Sequence, residues 1–364
     1  MRILIDIGHP AHVHLFRNLA RELIHEGSEV LFTCREKEFE KELLEHYSLP
    51  YRSLGKKYTG TAGKVFGIFK FGIREYVEGL RFKPDILLSH GSYIAAHAAA
   101  FLRRPHIALE DTFNFEQIYL YKPFTKAIIT GDFDHPLKSG KVVSYTGCHE
   151  LAYLHPGRFV PDQSVLEALG LNKGEKYAVM RFVSWKASHD LGHKGISLEN
   201  KMAAVRLFSD IARVFISSEG ALPPELEKYR LMTAPHRIHD VLAFASLLWT
   251  DSFTMPSECS VLGTPSVVIH NSRSFPLEVQ RDRYGLCFTF SESEDDQIRA
   301  IQKGESLLRQ EGIREEWLVK RDRMISENID LTAFLHWFVT NWPDSFARLK
   351  KNPDYQKLFI KSSH

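Results

Sequence analysis

The feature that most constrains this chain is a rhythm. Short apolar runs of strand length each end in a glycine or polar turn, and a segment of helical period follows. Arg2-Ile-Leu-Ile-Asp-Ile-Gly8 is such a run. Residues 13–26 then place Leu15, Phe16, Leu19, Leu23 and Ile24 on one helical face, Gly27 stops the helix, and residues 29–34 form the next strand. Strands this uniformly apolar are buried on both faces, and helical crossovers make them parallel. The rhythm continues with helices at 39–47, 65–82 and 93–102 and strands at 83–89, 106–110, 127–130 and 142–145.

Pro156-Gly-Arg-Phe-Val-Pro161 reads as a linker, after which the rhythm restarts. Strands are expected at 177–182, 212–217, 247–250 and 266–270, and helices at 198–208, 238–245, 298–309 and 313–325. An aromatic-rich helix at 331–338 is expected to pack back on the first domain. The reading is an α/β chain of two Rossmann-like domains, 1–160 and 161–330, with residues 331–364 returning to the first. Ligands would bind in a cleft at the carboxyl ends of both sheets.

A length of 364 residues suits two domains. A net charge of +2 argues against a nucleic-acid partner. Cys34, Cys148, Cys259 and Cys287 show neither zinc nor redox spacing, which fits a reducing compartment. No signal-peptide pattern precedes the first strand and no apolar run is long enough to span a membrane. A cytoplasmic chain, at most peripheral at the inner membrane face, is expected.

Residues 249–265 carry the most chemistry. They read as strand, turn, a helix beginning near Pro256, and a Gly-Thr-Pro turn. A turn feeding a helix N-terminus offers unpaired N–H groups and a partial positive charge, a seat for phosphate. Ser252 and Ser257 lie in this stretch, and Glu258, in the expected first turn, would accept from ribose hydroxyls. An ordinary βα turn with a dipole-friendly glutamate is the competing reading.

Gly8-His9-Pro10-Ala11-His12-Val13-His14 follows the first strand. Three imidazoles there suit general base work, a phosphate contact, or a metal site completed by Asp6, His90 or Asp111; solvated loop histidines are the alternative. His90-Gly91-Ser92-Tyr93 is a second glycine turn. Glu110-Asp111-Thr112 pairs two carboxylates at a strand end, for acid–base work or for helix capping. Arg181 ends a strand, and Lys186 sits in a polar loop, 184–195, that suits closure over phosphates or simple solvation. Between Arg52 and Arg81, Lys56, Lys57, Tyr58, Lys64, Phe66, Phe69, Lys70, Phe71 and Arg74 interleave charge with aromatics. That pattern fits an anionic membrane surface or a solvated helix with a buried aromatic face.

On these residues the chain resembles the GT-B sugar-nucleotide superfamily, and most closely the DUF354 family. Gly8-His-Pro-Ala-His-Val-His14 and Gly147-Cys-His-Glu-Leu-Ala-Tyr153 carry that likeness. It is also similar to the peptidoglycan GlcNAc transferase acting on a lipid-linked precursor and, more distantly, to UDP-GlcNAc 2-epimerase. The resemblance implies that His12, with His9, lies near the reaction centre. It puts Gly91 and Tyr93, with His14, His90 and Asp111, on the acceptor side, and makes Glu110 the acidic residue after the following strand. Glu258 becomes the ribose carboxylate, and Gln280 a contact of the donor sugar. It implies no protein-bound metal and no cofactor.

Three positions depart from the pattern. Ser252-Phe253-Thr254-Met255 is bulkier than the relatives' glycine turn, and His9-Pro10-Ala11 replaces paired glycines. Ser92 stands where the epimerase keeps an aspartate. The expectation is therefore a glycosyltransferase moving a sugar from a nucleotide-diphosphate donor, a UDP-sugar, to a cell-surface glycan or lipid-linked acceptor. A nucleotide-sugar 2-epimerase, a metal-dependent hydrolase built on the N-terminal histidines, and a binding protein without turnover are the alternatives.

Overall fold

The computed structural model describes residues 1–364 apart from 57, 59–60, 173, 184–194, 219 and 361–364, and gives the backbone alone for 61–66. Lys186, with almost all of the 184–195 loop, lies outside the described residues, as do Lys57 and the side chains of Lys64 and Phe66.

The chain divides into two compact units, one comprising Met1–Arg158 and Ser326–His364, the other Phe159–Ile325. The first is built on seven strands: β1 Arg2–Ile7, β2 Glu29–Glu36, β3 Tyr51–Lys56, β4 Ile86–His90, β5 His106–Leu109, β6 Ala127–Gly131 and β7 Val142–Tyr145. They lie in the order β3-β2-β1-β4-β5-β6-β7 and all pair in parallel. Winding reverses between β1 and β4, so right-handed crossovers place helices on both faces. The inner strands are buried almost throughout, as their Ile/Leu-rich sequences require. Helix Leu331–Thr340 packs on helix Pro10–His25, and Thr332 donates its hydroxyl to the Ala152 carbonyl at 2.6 Å.

The second unit has β8 Tyr177–Phe182, β9 Arg213–Ser218, β10 Leu247–Thr250, β11 Ser266–Ile269 and β12 Cys287–Phe290, ordered β12-β11-β10-β8-β9 and again all parallel. Its winding reverses between β8 and β10. Trp249 anchors the core, fully buried against Phe182 and Phe208 with its indole N–H on the Ala300 carbonyl.

Several boundaries move. The first helix begins at Pro10, three residues earlier than its apolar face suggests, because His9 Nδ1 caps it by accepting from the Ala11 N–H at 3.2 Å. The signature helix is Thr254–Leu262, so Pro256 is its third residue rather than its first. Proline fits there because the third N–H of a helix has no intrahelical partner either. Glu258 consequently sits in the second turn. Strands β3 and β12 and helix Phe275–Asp282 were not expected from the sequence.

Candidate functional site

In each unit the chemistry-bearing residues collect at the carboxyl ends of the strands beside the reversal of winding, where open α/β sheets bind ligands.

In the first unit the end of β4 and the segments after β1, β5 and β7 supply one cluster. Gly8 N–H donates to His12 Nδ1 at 3.3 Å. That bond puts the proton of the neutral ring on Nε2, making His12 a donor at that atom. Burial lowers the His12 imidazole well below its ordinary value, and the neighbouring His90 and His9 lower it further. The His12 ring stacks on His90 with centroids 4.6 Å apart.

His90 Nε2 lies 2.9 Å from Asp111 Oδ1, and His149 Nδ1 lies 3.0 Å from Asp111 Oδ2. Burial alone would lower His90, but Asp111 outweighs it and the imidazole is raised. Burial would raise Asp111, but His149 and His90 hold its carboxyl well below the usual range. The turns that aim these side chains need left-handed backbone: Gly91 has φ +55° and Gly147 φ +137°, conformations glycine adopts freely.

Not every expected residue joins this cluster. His14 is buried with Tyr153, whose ring is 5.6 Å away, and faces Arg17 at 3.1 Å. It lies two residues beyond His12, about 200° round the helix, which turns it from the cluster. Asp6 pairs with Arg35 at 3.1 Å and is not held by the histidines. The Glu110 carboxylate closes its own loop: Oε1 accepts from Phe113 N–H at 2.8 Å and Thr112 N–H at 3.0 Å, and Oε2 from the Tyr121 hydroxyl at 2.6 Å. Both Glu110 oxygens are thus engaged within its own loop, and the residue is 3% exposed. Tyr93 packs half-buried on Leu54, Phe71 and Ile94, while Ser92 caps its helix by accepting from Ala95 N–H at 3.3 Å. His149 had no role from the sequence; its only signal was the Gly147–Tyr153 motif.

In the second unit the turn from β10 into helix Thr254–Leu262 is the centre. Among the described residues no side chain caps that helix at Phe253. Ser252 N–H is held by Thr250 Oγ1 at 2.9 Å, and Thr250 Oγ1 donates to the Arg181 carbonyl at 3.0 Å. Arg181 lies within β8 and donates to Ser217 Oγ at 3.0 Å. The Phe253 ring packs onto Val268, Leu277 and Cys287 and lies 4.0 Å from the His270 ring. Beneath the turn is a buried polar layer. His239 Nε2 meets Glu258 Oε1 at 3.0 Å, and Gln280 Nε2 donates to Ser257 Oγ at 2.8 Å.

The family model for a protein of unknown function, DUF354, matches residues 1–286. The chain belongs to the DUF354 family. It is 26% identical over 351 residues to the UDP-N-acetylglucosamine–N-acetylmuramyl-(pentapeptide) pyrophosphoryl-undecaprenol N-acetylglucosamine transferase of Bacillus licheniformis, covering 88% of this chain and 93% of that one. Among solved structures it superposes on Methanocaldococcus jannaschii UDP-GlcNAc 2-epimerase in complex with UDP-GlcNAc and UDP, with TM-score 0.63, 13% identity and coverage of 88% and 99%. It superposes on spinosyn rhamnosyltransferase SpnG with TM-score 0.58, 13% identity and coverage of 92% and 99%. The DUF354 chain thus has the α/β fold of GT-B glycosyltransferases and epimerases. Among its described residues no helix is long and apolar enough to cross a membrane.

Proposed function

We propose that this DUF354 protein is a glycosyltransferase that moves a sugar from a nucleotide-diphosphate donor, a UDP-sugar, to a cell-surface glycan or lipid-linked acceptor. The observation that supports this best is the start of helix Thr254–Leu262, which no side chain among the described residues caps, with the Glu258 carboxylate fixed in the same helix. Free N–H groups at a helix start attract a diphosphate and stabilise charge developing on it as it leaves. Phe253 lies in the turn that is bulkier than the relatives' glycine-rich one, but its ring packs on Val268, Leu277 and Cys287. Glu258, oriented by His239, is the ribose ligand of this reading, and Gln280, anchored to Ser257, the contact of the donor sugar. Arg181 adds positive charge toward the phosphates, the role the sequence also gives Lys186. In the first unit, His12 donates from Nε2 to an oxygen of the reacting group, with His90 and Tyr93 toward the acceptor.

A membrane-bound acceptor fits a surface on helix Thr61–Phe82. Phe69 and Ile73 are 68% and 64% exposed, close to Lys70 and Arg74. Phe71 of the same stretch is core, packed with Leu54 and Ile94.

The test is to incubate the protein with radiolabelled UDP-sugars, with and without membrane or glycan acceptors. Transfer of label to the acceptor, lost in Glu258→Ala, supports the reading. Label that remains on the nucleotide as an epimer, without any acceptor, supports the 2-epimerase alternative and contradicts transfer. Ser92, which supplies no carboxylate, weighs against that alternative.

A further inference from the structure

We propose that His90, Asp111 and His149 form a binding site for a divalent transition-metal ion of the zinc, cobalt or iron type. Among the described residues this trio alone brings three metal-capable side chains together, with ligand atoms all within 4.8 Å of one another. His90 ends β4, and Asp111 and His149 lie in the turns after β5 and β7, so the three are gathered by the fold rather than by sequence proximity. His90 Nε2 and His149 Nδ1 lie 2.9 and 3.0 Å from the two oxygens of Asp111, so both imidazoles turn a nitrogen to the one carboxylate, as ligands sharing an ion would.

The chemistry of the set is selective. Two imidazoles and one carboxylate suit zinc, iron or cobalt better than calcium or magnesium, which take oxygen ligands. Three protein ligands leave coordination positions for a phosphate or hydroxyl oxygen. The N-terminal histidines are not the ligands. His9 caps a helix, His14 packs on Tyr153, and His12 lies against the face of His90. The metal site therefore differs from the one that the His9-Pro-Ala-His12 motif suggests, and its third ligand, His149, belongs to the Gly147–Tyr153 motif. The inference does not rest on the sugar-transfer reading, because metal binding can be measured without any sugar.

The full-length protein, dialysed against chelator, is titrated with cobalt(II) and then zinc(II), following heat and visible absorption. The proposal expects about one ion per chain, cobalt ligand-field bands that zinc displaces, and X-ray absorption showing imidazole ligands. His149→Gln and Asp111→Asn, each checked for native circular dichroism, should weaken binding at least about tenfold, as even outer-shell changes do at metal sites. His25→Ala, at an exposed position, should bind like the parent. No binding at about 100 μM metal, or binding unchanged in whichever of the two ligand variants folds, would overturn it.

Discussion

Tyr121 donates its hydroxyl to Glu110 Oε2 at 2.6 Å, and this bond separates two adjacent carboxylates into different jobs. Glu110 is clasped by its own loop, while Asp111 looks across to His90 and His149. The pair Glu110-Asp111 reads in sequence as acid–base work or helix capping; in the fold the two carboxylates take different partners.

The clasp predicts that Glu110→Ala destabilises the protein by about 2–4 kcal/mol, since three donors lose a buried charged acceptor. Tyr121→Phe should cost less, about 1–3 kcal/mol, and the double variant less than the sum. Urea unfolding of the four proteins measures the coupling. Additive effects would contradict a direct Glu110–Tyr121 bond.

His106 makes acid stability a second test. It is buried between Ser89 Oγ and Thr125 Oγ1, both at 2.8 Å, and burial holds its imidazole down at about 3. A histidine depressed in the folded state contributes stability above its unfolded value, about 6.5, and that stability is lost as pH falls toward 3. Unfolding free energies at pH 7, 5.5 and 4.5 should fall more steeply for the parent than for His106→Gln. Parallel slopes would remove His106 as the cause.

Opposite behaviour is expected of Glu75. This carboxyl, fully buried near Asp6 and Arg35, is raised far above its ordinary value, by burial first and by Asp6 second. A carboxyl raised in the folded state favours folding below its unfolded value, and that contribution is lost as pH rises through the folded value. Glu75→Gln should therefore cost little at pH 7 and become relatively stabilising by pH 9. Arg35→Met should cost about 3–5 kcal/mol, because Asp6 is left buried without its partner. Denaturant titrations of both variants at the two pH values decide this.

The exposed pair on helix Thr61–Phe82 yields a fourth. Phe69→Ser with Ile73→Ser should reduce co-sedimentation with anionic vesicles several-fold and leave thermal stability within about 0.5 kcal/mol, as both side chains stand in solvent. Unchanged vesicle binding would detach this surface from the membrane.

Much of the fold was legible because its elements are locally self-consistent. Strands Val142–Tyr145, Tyr177–Phe182 and Leu247–Thr250 and helix Tyr93–Leu102 fall where period and turn residues put them. Strand β3 was not, since an edge strand with only Leu54 fully buried carries no apolar run. The helix Thr254–Leu262 start was misplaced because proline is equally at home at several positions of a first turn. The site was legible only in part. Asp111 and His149 are far apart in the chain, and only the sheet order carries β5 and β7 to neighbouring places. Nor does sequence show that His12 and His14 point apart; helical phase does that.

A nucleotide-sugar site at helix Thr254–Leu262 is tested by a melting-temperature screen of the parent and Glu258→Ala against UDP, GDP, CMP, TDP and their sugars. A ligand bound only by the folded state raises the melting temperature, by about 2.7 kcal/mol of stability at a hundredfold excess over Kd. A clear rise with UDP or a UDP-sugar is expected in the parent and none in Glu258→Ala. No rise with any nucleotide at millimolar concentration, or an equal rise in both proteins, would contradict it.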